Sequence, residues 1–237
     1  MSQDQDAIAH IRSERPTADA AALAAQCGLG DWVDTLATNQ GWRWRKSQDA
    51  RLYFFTGGLV VTMQEGYLSA YDWETVRVLQ YRRTINGVNA EACSVLIDPA
   101  GSALNIGFGR APVFKADKTA LGITSWVNGP GFLYPHMWGD HIQTCVTRAQ
   151  LGKTLARIQR GERITFGPYT VDQHGVSDKK YSAAWTEIIE IGFTLGSFMF
   201  NGHQRRSTVP GSAHAYVIPN LDLFVKLCHQ LSPNVRG

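Results

Sequence analysis

The chain has 237 residues, a formal net charge of +3, 44% hydrophobic residues and 18% charged residues. These values suit one or two soluble globular domains and exclude collagenous and disordered chains. The slight basic excess does not by itself argue for nucleic-acid binding, which calls for a dense basic face.

The first ten residues carry Asp4 and Asp6 where a secretory signal needs a basic start and an apolar run. No stretch approaches the ~18 consecutive apolar residues of a membrane span. The four cysteines, Cys27, Cys93, Cys145 and Cys228, form no closely spaced pair. Reduced thiols in a cytoplasmic protein are therefore expected.

Taken in order, residues 1–16 are polar and read as a frayed tail or weak helix. Residues 17–28 carry a helix signature. Thr17 suits the N-cap, Asp19 the first turn, the alanines the body, and Gly28 the position past the end. So little apolar area must dock on something larger. Asp31 reads as the cap of a short turn through Trp32, Val33 and Leu36. Gly41-Trp42-Arg43-Trp44-Arg45-Lys46 alternates aromatic and basic residues. It reads first as a half-exposed strand, and second as a nucleic-acid or lipid contact.

Residues 51–108 read as a meander of about half a dozen strands, with turns at Gly57-Gly58, Glu65-Gly66, Asn86-Gly87 and Asp98-Pro99. No long helix separates them, which argues against a parallel α/β sheet. Residues 109–138 are rich in Gly and Pro and hold Trp126, Phe132, Tyr134 and Trp138. So long a connection is uncommon and often functional. A helix is expected from an Asp140 N-cap to Gly161, with Ile142, Cys145, Val146, Ala149, Leu155 and Ile158 on its apolar side.

The second β region begins at Glu162. It includes a turn at His174-Gly175, a strand ending at Trp185, and a turn at Asn201-Gly202. Asn220 then introduces a final helix with Leu221, Phe224, Val225 and Cys228 in one stripe.

Each β region thus consists of strands followed by one amphipathic helix. Residues 167–193 repeat, more tightly, the pattern of residues 52–79: an aromatic-led strand, a Gly turn, a second strand, then Trp and an apolar residue. The motifs are Gly161 to Gly167, Gly175-Val176, Ala184 to Ile188, Phe193, and Ile218-Pro219-Asn220 with Phe224 and Leu227. In these the chain resembles uncharacterised bacterial proteins with tandem pleckstrin-homology-like (PH-like) or GRAM-like units. The resemblance covers residues 162–231 well and 51–160 loosely.

It implies an α+β, mostly antiparallel fold of two PH-like units, each a bent, barrel-like meander closed by a C-terminal helix. The expected division is a helical segment at 1–40, a first unit at 41–161 with the insertion at 109–138, and a second unit at 162–237. Trp185 is expected to fill a barrel corner as core.

The resemblance also implies a non-enzymatic adaptor that engages a protein partner or anionic lipid headgroups, with no cofactor and no specific nucleic acid. It would be cytoplasmic or peripheral to a membrane, and able to oligomerise. Candidate binding residues are Lys179 and Lys180 at a hairpin tip, then His203, Arg205 and Arg206, with Trp126 and Tyr134 in the insertion. A second class of function is a metal or Cys/His enzyme site in residues 131–145, from His136, His141 and Cys145, since His141 and Cys145 stand four apart on the expected helix. A third is self-association through the aromatics of the insertion. No phosphate-binding glycine loop, nucleophile elbow or zinc-protease motif is present in the sequence.

Overall fold

The computed structural model describes residues 13–38, 49–85, 88–202 and 209–234. Helix α1 (Ala18–Gln26) begins at Thr17, whose hydroxyl accepts from the Ala20 N–H at 3.3 Å. Gly28 follows it with φ +66°, the left-handed conformation that glycine adopts without strain.

Residues 31–37 are not a helical turn. Trp32–Ala37 form strand β1, paired antiparallel with β2 (Arg51–Phe55). The neighbouring strand overrides the weak capping signal of Asp31. Strand β1 thus lies within the stretch 1–40 expected to be helical, and it belongs to the sheet of β2. With β3 (Gly58–Thr62) and β4 (Leu68–Asp72), these strands make a four-stranded antiparallel sheet in the order β1-β2-β3-β4. One face packs Tyr53, Phe55 and Val60 against Ala20, Ala24 and Leu29, so α1 docks there.

A second sheet holds β5 (Arg77–Ile85), β6 (Val88–Ile97), β7 (Ser102–Phe108) and β8 (Ser125–Asn128). The insertion has structure of its own. Helix α2 (Lys115–Ala120) lies within it, and β8 returns parallel to β7. A crossover of that length permits the parallel pairing that the meander pattern argued against. Ala111, Val113 and Leu121 cover the outer face of this sheet, over Leu79, Val95 and Ile97.

Helix α3 spans Pro135–Gln159 with Tyr134 at the N-cap position, six residues before Asp140. Pro135 occupies the first turn, where its missing N–H costs nothing. Asp140 instead pairs with Arg82 of β5. Helix α3 serves two cores. Trp138, Ile142 and Val146 pack on Phe54, Leu59, Leu96 and Leu104 of the first unit. Leu151, Leu155 and Ile158 pack with the second unit.

The second unit repeats the order sheet, sheet, helix. Strands β9 (Ile164–Phe166), β10 (Tyr169–Val171), β11 (Gly175–Ser177) and β12 (Ser182–Ala184) form one antiparallel sheet. A 3-10 turn at Trp185–Glu187 leads to β13 (Ile188–Thr194), β14 (Ser197–Gly202) and β15 (Ala213–His214). Asn201 and Gly202 pair within β14 rather than turning. Helix α4 (Leu221–Leu231) closes the core, with Phe224 stacked on Tyr169 at 5.4 Å and 5°.

Trp185 is buried, and its indole N–H donates to the Asp172 carbonyl at 3.0 Å. A Cβ at Gly175 would lie 2.0 Å from the Ala183 carbonyl oxygen, so only glycine fits that approach. The fold is α+β and mostly antiparallel. Among the described residues no sheet closes into a barrel; four separate sheets stand in its place.

The two units are joined by Asn220, which has φ +51° and is buried. Its side chain does not cap α4. The carboxamide oxygen accepts the Val78 N–H at 2.7 Å, and its NH2 donates to the Val76 carbonyl and to Gln150 Oε1. Its own N–H donates to the Val78 carbonyl at 2.9 Å. Gln150 of α3 in turn donates to the carbonyls of Trp73 and Val76.

Candidate functional site

The turn between β11 and β12 carries Lys179 and Lys180, both exposed. Asp178 shapes it. Its carboxylate accepts from the N–H groups of Lys180 (2.6 Å), Tyr181 (2.7 Å) and Gly211 (2.7 Å). Desolvation works to raise the Asp178 pKa, but these donors outweigh it and the group sits below the ordinary carboxylate range. Asp178 thereby clasps the lysine turn to the segment that enters β15. The phenol of Tyr169 donates to the Gly211 carbonyl at 2.7 Å, fixing the same segment from beneath.

Beside the clasp lies an open cleft of about 380 Å³. Gly167, Pro168, Thr170, Asp178 and Lys179 line it from the second unit, and Asp117 and neighbouring residues of α2 line it from the first. His203, Arg205 and Arg206 lie outside the described residues, as do Trp42, Trp44 and the Asn86-Gly87 turn.

The two aromatics nominated in the insertion do not line a common cleft. Trp126 stands on β8 under the Lys118 ammonium, 3.8 Å from the ring centroid, and its indole N–H donates to Asn128 at 3.1 Å. It is a half-buried, partnered side chain. Tyr134 precedes α3 with φ +55° and is 45% exposed. It rims a mostly apolar cleft of about 320 Å³ between β1 and the first turns of α3, with Val33, Leu36, Phe54, Met137 and Trp138. Val33 and Met137 are also exposed. Periodicity could not find this cleft, because its two walls are a hundred residues apart and its strand wall reads as a turn.

His141 lies at the same cleft, its ring 5.4 Å from that of Phe54 and its Nε2 3.5 Å from Cys145 Sγ. The helical spacing thus does bring the pair together. Burial raises the Cys145 thiol pKa, with Arg148 lowering it less, which disfavours the nucleophilic thiolate. His136 is half-buried; its carbonyl accepts from Arg82. Among the described residues no group of three or more His, Cys, Asp or Glu side chains could hold a metal ion.

Where α3 crosses α4, Arg82 pairs with Asp140, and Asp222 lies close by. Desolvation, with Asp140 adding to it, raises the Asp222 pKa. No described helix is long and apolar enough to cross a membrane. Comparisons with family models, with curated proteins and with solved structures return no match for this chain.

Proposed function

We propose that the chain is a non-enzymatic adaptor of two PH-like units, and that the loop end of the second unit docks on an anionic lipid surface. The PH-like assignment is supported by the order four-stranded sheet, second sheet, closing helix, which occurs twice. The observation that carries the lipid assignment is the Asp178 clasp. It holds Lys179 and Lys180 outward beside the Gly167-Pro168 turn, with their ammonium groups free of any ion pair among the described residues. Two lysines at an anionic surface contribute roughly 2 kcal/mol, which suits reversible peripheral docking in the cytoplasm.

Co-sedimentation with phosphatidylcholine vesicles, with and without phosphatidylglycerol, tests this. The wild type is expected to bind only the anionic vesicles and to be released by salt. The double substitution Lys179→Glu and Lys180→Glu is expected to lower binding at least tenfold. Equal binding by the double variant would remove the lipid assignment.

A second partner class, a protein, is favoured by one observation. Val33, Tyr134 and Met137 gather exposed apolar surface around the first-unit cleft. That cleft is large enough to take one or two apolar side chains of a partner.

A further inference from the structure

Strand β13 ends the sheet order β13-β14-β15, so one of its edges has no neighbouring strand among the described residues. Across residues 189–194 the only backbone bonds among those residues run to β14. An open edge of this kind is normally guarded by Lys, Pro or a covering element. Here the sequence is Ile188-Ile189-Glu190-Ile191-Gly192-Phe193-Thr194, with no Lys or Pro; its protection is one charge, Glu190, and the bulge beside it, both at one end, which leaves 191–194 open. It also carries exposed apolar side chains: Ile189, Phe193 at 53%, and Leu195 at 99% in the turn beyond. Leu195 has φ +51°, a conformation that costs a branched side chain about 1 kcal/mol and that Asn or Gly would adopt more easily. The two-residue hairpin turn with Gly196 (φ +77°) requires that conformation, but the leucine side chain itself buries nothing among the described residues.

We propose that β13 is the interface of a homodimer, with two copies pairing antiparallel and Gly192 of each on the twofold axis. In that register Ile191 of one copy faces Phe193 of the other, with Ile189 in the bulge and Leu195 in the turn flanking each end of the ladder. The only charged residue, Glu190, faces Thr194, so no like charges meet. Phe193, whose ring already lies 5.4 Å from that of Phe198, gains a cross-strand neighbour, and Ile189 of one copy is brought near Leu195 of the other at each end. Gly192 lies where the two backbones approach most closely, and a Cβ there would meet nothing within 4 Å in one chain. The bulge between Ile188 and Glu190 and the turn at Leu195 mark the two ends of the paired span.

A bilayer does not suit this edge, because hydrocarbon cannot satisfy unpaired strand N–H and C=O groups. A second copy supplies them and presents the same apolar row. The contact is smaller than a standard interface, so a weak dimer is expected. This dimer is independent of the lipid assignment.

Sedimentation equilibrium of the full chain, from about 1 μM to about 1 mM, gives the test. The mass of the wild type is expected to rise from one chain toward two. Gly192→Lys and Gly192→Glu each place like charges on the axis. Each is expected to weaken association at least tenfold with no fall in melting temperature. Mixed in equal amounts, the two variants are expected to associate again, because the ammonium introduced in one chain would then face the carboxylate introduced in the other. Leu195→Lys, at a fully exposed position, is expected to weaken association without any change at Gly192. A wild type that remains one chain throughout would overturn the proposal. So would a charged variant that associates as the wild type does, or a mixture that fails to restore association.

Discussion

Asn220 holds the junction through chemistry that no other side chain supplies as well. It tolerates a positive φ, and its amide both donates and accepts. Asn220→Gly keeps the backbone conformation and removes three side-chain bonds from a buried site. It is expected to cost about 3 kcal/mol in urea unfolding, because the Val78 N–H is left buried without a partner. Asp178 acts at the other end of the unit and gives a pH signature. Its pKa is held below the ordinary value, so its stabilisation is complete above the unfolded-state pKa and is lost as pH falls through the folded one. The wild type is therefore expected to lose more stability between about pH 5 and pH 3 than Asp178→Asn does. Thermal melts across that window check it. Local chemistry made some residues legible in advance: Thr17 as a cap, Gly28 as a stop, Trp185 as core. The partners of Asn220 were not, because they lie at least seventy residues away in sequence.

Among the elements, α3 departs most from its sequence pattern. Its apolar positions fall on two faces because it packs into two cores, and the polar face between them is also buried. Gln143 and Thr147 lie on that face without a protein partner for their side-chain polar atoms among the described residues. Burying an amide without a bond costs more than burying a thioether of similar size. Gln143→Met is expected to raise stability by about 1 kcal/mol in chemical denaturation. A loss of similar size would show that an ordered water satisfies the amide. Period and turn chemistry revealed most strands. They missed β1 and the parallel β8, whose pairing is set by neighbours rather than by their own residues. They also put the start of α3 at Asp140, because a good capping residue there is used for an ion pair.

For the whole molecule, the repeat is legible in sequence but the joint is not. Two separate aromatic cores share α3 and are locked by the Asn220 and Gln150 bonds. The units are therefore expected to unfold together. Six of the seven tryptophans precede residue 162 and only Trp185 lies in the second unit, so fluorescence reports mainly the first unit, while circular dichroism reports both units. In urea the two signals of the wild type are expected to coincide. In Asn220→Gly they are expected to separate.

The proposed lipid docking is tested directly by following backbone amide resonances of the full chain as anionic lipid nanodiscs are added. The amides of residues 167, 169–170, 178–181, 209 and 211–213 are expected to shift or broaden first, with those of 33–36, 134 and 136–141 unchanged. Perturbation confined to the second group would contradict docking through the Lys179-Lys180 loop end.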